Sequence, residues 1–144
     1  MIRRASKKDV GLIADLAVLL WKNHSVDDLI HEFSEILSKK DAQIFLKYES
    51  DVPVGFAQCQ LRHDYVEGTE TTPVGYLEGI YVVEGYRGRG YAKELLKECE
   101  MWAKDSGCKE FASDCELDNE DSFCFHRAVH FKVANKIICF TKKL

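Results

Sequence analysis

The chain has 144 residues, 46% of them hydrophobic, with 24 acidic against 20 basic side chains and a formal net charge of -4. Length and apolar content suffice for a real core, and residues 1–144 read as one domain. The acidic balance argues against a general nucleic-acid or anionic-membrane binder, and it suits a cationic substrate.

Residues 1–5 read as a short first strand. Ser6, with Asp9 three residues later, has the form of a helix N-cap, and Ile13, Leu16, Ala17 and Leu20 then share one helical face that ends near Asn23. A second amphipathic helix is predicted over about 26–39, with Leu29, Ile30, Phe33, Ile36 and Leu37 as its apolar stripe. Residues 42–49 and 54–61 read as strands joined by a hairpin turn over Ser50-Asp51-Val52-Pro53. A polar connection follows at 64–72, then a long strand over 73–83. Ala92, Leu95, Leu96, Cys99 and Ala103 form the stripe of a third helix, which Gly107 ends. A strand over 110–115, a helix over 119–129 and two closing strands over 131–134 and 136–142 complete the chain. The order β-α-α-β-β-β-α-β-α-β-β describes an α/β protein with a mixed sheet and helices on both sides.

Six cysteines (Cys59, Cys99, Cys108, Cys115, Cys124 and Cys139) are scattered with no Cys-x-x-Cys pair. Without a signal-peptide pattern they read as reduced thiols of a cytoplasmic protein, with Cys99 and Cys139 as core residues among apolar neighbours. The longest apolar run, 12–21, contains Asp15 and is too short to cross a bilayer. His24, His31 and His63 have no ligand spacing, so no metal site is expected.

The long strand runs into Glu84-Gly85-Tyr86-Arg87-Gly88-Arg89-Gly90, and a helical pattern starts at once. Glycines let backbone N–H groups approach an anion closely, and a helix N-terminus adds unpaired donors and partial positive charge. With Arg87 and Arg89 as cationic donors, the stretch can nest a pyrophosphate. The same glycines also suit a tight turn that needs them only for its shape, and from the glycines alone both readings stand. The Lys-Ser/Thr pair of a P-loop is absent, and the three glycines do not open a βαβ unit as a dinucleotide fingerprint does. An RNA-contacting basic tract does not suit an acidic chain in which the tract lies between strand and helix.

Arg87-x-x-Gly90-x-Ala92 resembles the acyl-CoA signature of the GNAT acetyltransferases. Beyond it, YVEGTETTPVGYLEGIYV (65–82), Trp102-Ala103-Lys104, EFASD (110–114), Leu117-Asp118-Asn119 and the closing FTKK resemble the aminoglycoside 6′-N-acetyltransferases nearly end to end. The resemblance implies the GNAT fold and acetyl-CoA as co-substrate. It implies acetyl transfer to the 6′-amino group of an aminoglycoside by direct attack in a ternary complex, with resistance as the consequence. Such relatives are commonly dimers, so a homodimer is expected.

By the same resemblance, the strand carrying Ile80, Tyr81 and Val82 splays from its neighbour. Its free backbone groups pair with the pantetheine arm, and one N–H polarises the thioester carbonyl. Arg87, Gly88, Arg89, Gly90, Tyr91, Ala92 and Lys93 hold the pyrophosphate, and Asn119 contacts CoA, a role compatible with capping the next helix. Trp21, Tyr65, Glu78 and Asp114 fall at substrate-contacting positions. From the residues themselves, Trp21 also continues an apolar helical stripe and Tyr65 can be a packing residue. Glu78, between Leu77 and Gly79 in an apolar strand, and Asp114, at a strand end, are harder to explain as plain surface. Where related enzymes carry a substrate-binding acid, Asn135 is an uncharged amide.

Glu78 or Asp114, acting through water, is the candidate base for the acceptor amine, although both can equally serve to orient the substrate. His126 stands where many relatives have an acidic tyrosine; it is either the proton donor to departing thiolate or a helix-surface histidine. His130 replaces a glycine at a helix C-terminus and reads as a structural substitution. Cys115 has no evident His partner for an acyl-cysteine route. Two other functions remain open: a GNAT enzyme acting on a polyamine or lysine side chain, and a non-catalytic acyl-CoA-binding module.

Overall fold

The computed structural model describes residues 1–144. Five strands and four helices follow one another as β1 (Ile2–Arg4), α1 (Val10–Leu20), α2 (Val26–Ile36), β2 (Ala42–Glu49), β3 (Val52–Arg62), β4 (Val74–Val82), α3 (Tyr91–Asp105), β5 (Phe111–Ser113) and α4 (Glu120–Ala128). The sheet order is β1-β2-β3-β4-β5; every pairing is antiparallel except β4 with β5, which is parallel.

The alternation of β2 explains the layering, because successive side chains leave opposite faces of a sheet. Ile44, Leu46 and Tyr48 join α1 and α2 in one core, with Ile13, Ala17, Leu29, Phe33 and Phe56. Phe45 turns to the other face and meets Ala57, Leu77, Leu95, Leu96 and Cys99 beneath α3. Lys47 shares that face, buried at 7% exposure, and its charge is met by Glu94 at 2.5 Å, with the Tyr91 ring beneath it at 4.2 Å. Phe125 and Val129 of α4 pack on the same side.

Local chemistry sets the ends. Ser6 and Asp9 form a capping box, which opens a short 3-10 turn before α1. Arg3 grips Asp9 with both Nη atoms (3.0 and 2.7 Å) and donates to the Tyr48 hydroxyl at 2.6 Å, so one buried carboxylate ties β1, β2 and the helix start together. The Ser25 hydroxyl caps α2 by accepting from the Asp28 N–H at 3.1 Å. That helix stops at Ile36 rather than Lys39 because Ser38 and Lys39 switch to i→i−3 bonds, which tighten the last turn. The first hairpin uses only Ser50 and Asp51, both with positive φ (47° and 67°), while Val52 and Pro53 already belong to β3. Two left-handed residues give the twist that a two-residue loop needs. His130 is also left-handed (φ 73°), as expected of a residue standing for a terminal glycine.

Two expectations fail. Residues 131–134 and 136–142 form no strands; after α4 the chain runs without sheet pairing. An extended segment becomes a strand only when it has an edge to pair with, and none of the five strands pairs with it. Its apolar side chains are left out in solvent, with Ile137 66%, Ile138 80% and Phe140 88% exposed. Cys139 lies on this segment and is exposed instead of buried; Cys99 is fully buried as expected.

Candidate active site

Strand β4 carries the site. Its register against β3 shifts so that Gln58 faces Gly79 and Cys59 faces Leu77, leaving Glu78 without an opposite residue. Such a bulge re-aims a side chain and bends its strand. On the other edge, β5 pairs only with Gly75, Tyr76 and Leu77, and the pairing ends at Ser113. From Glu78 to Val82, therefore, the β5-side edge of β4 has no strand partner. Ile80, Tyr81 and Val82 lie on this unpartnered stretch.

Past Val82 the chain makes a 3-10 turn over Glu84–Tyr86 and enters α3 through Gly88 (φ +75°) and Gly90 (φ +81°). Gly90 is the N-cap of α3 and supplies no capping side chain, so the first N–H groups of a fifteen-residue helix are left for another acceptor. An added Cβ on Gly88 or Gly90 would meet no atom within 4 Å. These glycines are therefore required by left-handed backbone and open space, not by tight packing. A cleft of about 250 Å³ lies here, lined by Val82, Tyr86, Arg87, Gly88, Gly90, Tyr91, Ala92 and Lys93 on one side and Phe125, Ala128 and Val129 of α4 on the other. Arg87 donates from Nε to the Val82 carbonyl at 2.8 Å and lies over the Tyr81 ring. Arg89 reaches Glu49 at 3.7 Å and lies outside the cleft lining. Asn119 caps α4 by accepting from the Ser122 N–H at 3.0 Å, and it too is not among the lining residues.

At the other end of the free edge, carboxylates gather. Glu78 is half-buried, and burial pushes its carboxyl above the usual range against the pull of Arg62. Asp114, just past β5, accepts a short hydrogen bond from the Tyr76 hydroxyl. Burial and that partner raise the Tyr76 phenol, which keeps it a neutral donor. Trp21 lies edge-on to Phe56 (5.9 Å between centroids) and against Gly79, where a Cβ would fall 2.5 Å from its ring. Both readings of Trp21 thus meet in one place: it packs on the core and stands beside Glu78. Tyr65 is 79% exposed and donates to Glu67 at 3.0 Å, and Asn135 donates to the same carboxylate at 3.2 Å.

His126 faces β5. Its Nδ1 lies 2.7 Å from the Ser122 carbonyl and its Nε2 2.8 Å from the Ser113 hydroxyl. A carbonyl can only accept, so in the neutral ring Nδ1 carries the proton and Nε2 accepts from Ser113. That places His126 on the last residue of β5, where the two strands part, rather than on an unengaged helix surface.

The family model described as the acetyltransferase (GNAT) family matches residues 13–131. The chain belongs to the GNAT acetyltransferases. It is 38% identical over 144 residues to an aminoglycoside N(6′)-acetyltransferase type 1 of Stenotrophomonas maltophilia, covering 99% of this chain and 93% of that one. A protein of the same description from Acinetobacter haemolyticus is also 38% identical, with 99% and 98% covered. Among solved structures, AAC(6')-Iy in complex with the bisubstrate analog CoA-S-monomethyl-acetylneamine superposes with a TM-score of 0.95 at 34% identity, over 100% of this chain and 98% of that one.

Three partners of the candidate site residues have no signal in the sequence. Arg62, Ser113 and Glu67 each become visible only through a partner on another segment: Arg62 on Glu78, Ser113 on His126, Glu67 on Tyr65 and Asn135. An arginine ending a strand, a serine in EFASD and a glutamate in a polar loop carry no signal by spacing alone.

Proposed function

We propose that this chain transfers the acetyl group of acetyl-CoA to the 6′-amino group of an aminoglycoside, acting as a single domain in the cytoplasm. The observation that carries the reading is the unpartnered edge of β4. It joins the glycine-lined helix start at one end to Glu78 and Asp114 at the other, within about 13 Å of strand. A long thioester that pairs with that edge has its diphosphate at one end and its acyl group beside the carboxylates.

The free edge and the left-handed glycines fit acetyl-CoA, whose bound form supplies an activated acetyl thioester. Unpaired N–H groups of 91–93, with Arg87 and Lys93, hold negative charge at the helix start. A backbone N–H among Ile80, Tyr81 and Val82 donates toward the carbonyl that gains negative charge. Glu78 and Asp114 make the acceptor site acidic, and one of them takes a proton from the amine through water, while Trp21 and Tyr65 offer aromatic faces to sugar rings. His126 serves as donor to the departing thiolate only as the imidazolium, in which Nε2 carries the proton that the neutral ring lacks there while Nδ1–H stays on the Ser122 carbonyl. Attack is direct, in a ternary complex; the nearest imidazole to Cys115 in sequence, His126, is already engaged with Ser113.

A homodimer belongs to the same reading, supported by the exposed apolar segment after α4.

The test is release of free CoA thiol from acetyl-CoA in the presence of kanamycin, spermidine or a lysine peptide. Kanamycin is expected to give the fastest release, with the new amide on the 6′ nitrogen by product analysis. Faster turnover of spermidine or the peptide would move the enzyme to another polycation; acetyl-CoA binding with no acceptor-dependent release would make it a binding module.

A further inference from the structure

Glu78 already has a cation. Arg62 donates to it from Nε (3.1 Å to Oε1) and from Nη2 (2.9 Å to Oε1 and 3.1 Å to Oε2). The guanidinium is itself fixed, its centre 3.4 Å from the centroid of the Tyr76 ring. The Tyr76 hydroxyl donates a hydrogen bond to Asp114. Arg62 from β3, Tyr76 and Glu78 from β4, and Asp114 beyond β5 therefore form one connected unit. It holds two carboxylates and one guanidinium, so its charge is one negative. Asp114 has a neutral partner and no salt bridge to any cation.

A partly exposed ion pair adds little to stability, and this one sits on the bulge that leaves Glu78 unpaired. We propose that Arg62 is a positioning and specificity residue: a built-in counter-cation that locks Glu78 and leaves Asp114 as the docking carboxylate for a single acceptor ammonium. This rests on the acceptor site assigned above. The planar fork holds both carboxylate oxygens in one orientation, which a flexible ammonium cannot do. The charged or titratable groups facing Glu78 are Arg62, Tyr76 and Asp114; from the α1 side the Trp21 ring and the Leu20 side chain approach over Gly79. Burial and Asp114 push the Glu78 carboxyl up while Arg62 pulls it down, so removal of Arg62 lets it rise further.

The experiment compares wild type, R62M, R62K and R62M/E78Q in kanamycin turnover from about pH 4, the ordinary carboxylate range, to about pH 8, with the acetyl-CoA KM as control. Carboxyl NMR of Glu78 reads the lock without any acceptor. In R62M the Glu78 titration midpoint moves up. Its kanamycin KM falls roughly three- to fivefold above the Glu78 midpoint read by NMR, where the cluster carries a second negative charge, and the gain shrinks as pH falls through that midpoint. Its kcat falls about tenfold because the freed carboxylate no longer keeps one geometry. R62K retains the wild-type KM at each pH but loses kcat, and R62M/E78Q shows no KM gain. An unmoved Glu78 midpoint, a pH-independent KM in R62M, or a KM gain that survives in R62M/E78Q overturns the proposal. So does an equal rise in KM for both substrates with a lowered Tm in R62M and R62K, which marks a structural role. If the midpoint moves but wild type does not turn over kanamycin, the acceptor-site reading fails and Arg62's part in specificity fails with it, while the lock on Glu78 stands.

Discussion

Gly90 sits at φ +81° with no atom within 4 Å of where a Cβ would point, so two effects that a substitution usually mixes are separable there. Gly90→Ala adds only the left-handed strain, about 1 kcal/mol, and puts a methyl group where a ligand is expected. Gly90→Asp adds a negative charge beside the α3 N-terminus as well. Calorimetric titration with acetyl-CoA should show about tenfold weaker binding for the alanine variant and at least a further tenfold for the aspartate, with far-UV circular dichroism unchanged. Wild-type affinity in Gly90→Asp would remove the diphosphate from this turn. The left-handed glycines Gly88 and Gly90 are readable from sequence because a tight strand-to-helix turn makes a local demand for them. The Glu78–Arg62 pair is not, since its members lie 16 residues apart on two strands and a bulge decides which faces which.

Among the elements, the start of α1 has the densest polar chemistry. Asp9 is 6% exposed and accepts from both Nη atoms of Arg3 and from the backbone N–H and hydroxyl of Ser6. Hydrogen bonding from Arg3 holds its carboxyl far below the ordinary aspartate value. A depressed carboxyl stabilises the fold above its unfolded pKa of about 4, and that stability is lost as pH falls below it. Asp9→Asn should therefore cost about 2 kcal/mol at neutral pH, and the deficit should shrink near about pH 3, read as urea midpoints at the two values. An equal deficit at both would assign the loss to packing instead of charge. The elements most legible in the sequence are those whose signals are local: the Ser6–Asp9 cap, the α2 stripe, the α3 stripe with its closing glycine. Boundaries move where tertiary partners decide, as when β5 spans only Phe111–Ser113, its pairing ending at Leu77, the residue before the β4 bulge.

At the scale of the whole molecule, pattern and structure part most widely in the segment after α4. Its apolar run reads as strand, yet Ile137, Ile138 and Phe140 remain 66%, 80% and 88% exposed and Leu144 is fully exposed, with no pairing to the five-stranded sheet. A β pattern specifies which side chains want cover, not which chain supplies it. Burying such a side chain contributes about 1.5–3 kcal/mol; four from each of two protomers give about 12–24 kcal/mol, against about 4–15 kcal/mol for association. The balance favours a pair of chains that cover each other's segment. Sedimentation should then find wild type at about twice the chain mass, and a variant combining Ile138→Asp with Phe140→Asp at the chain mass, because two buried carboxylates without partners outweigh what the remaining apolar contacts supply. Monomeric wild type at micromolar concentration would leave the apolar segment without this partner. A double-aspartate variant that stays dimeric would put the interface on another surface.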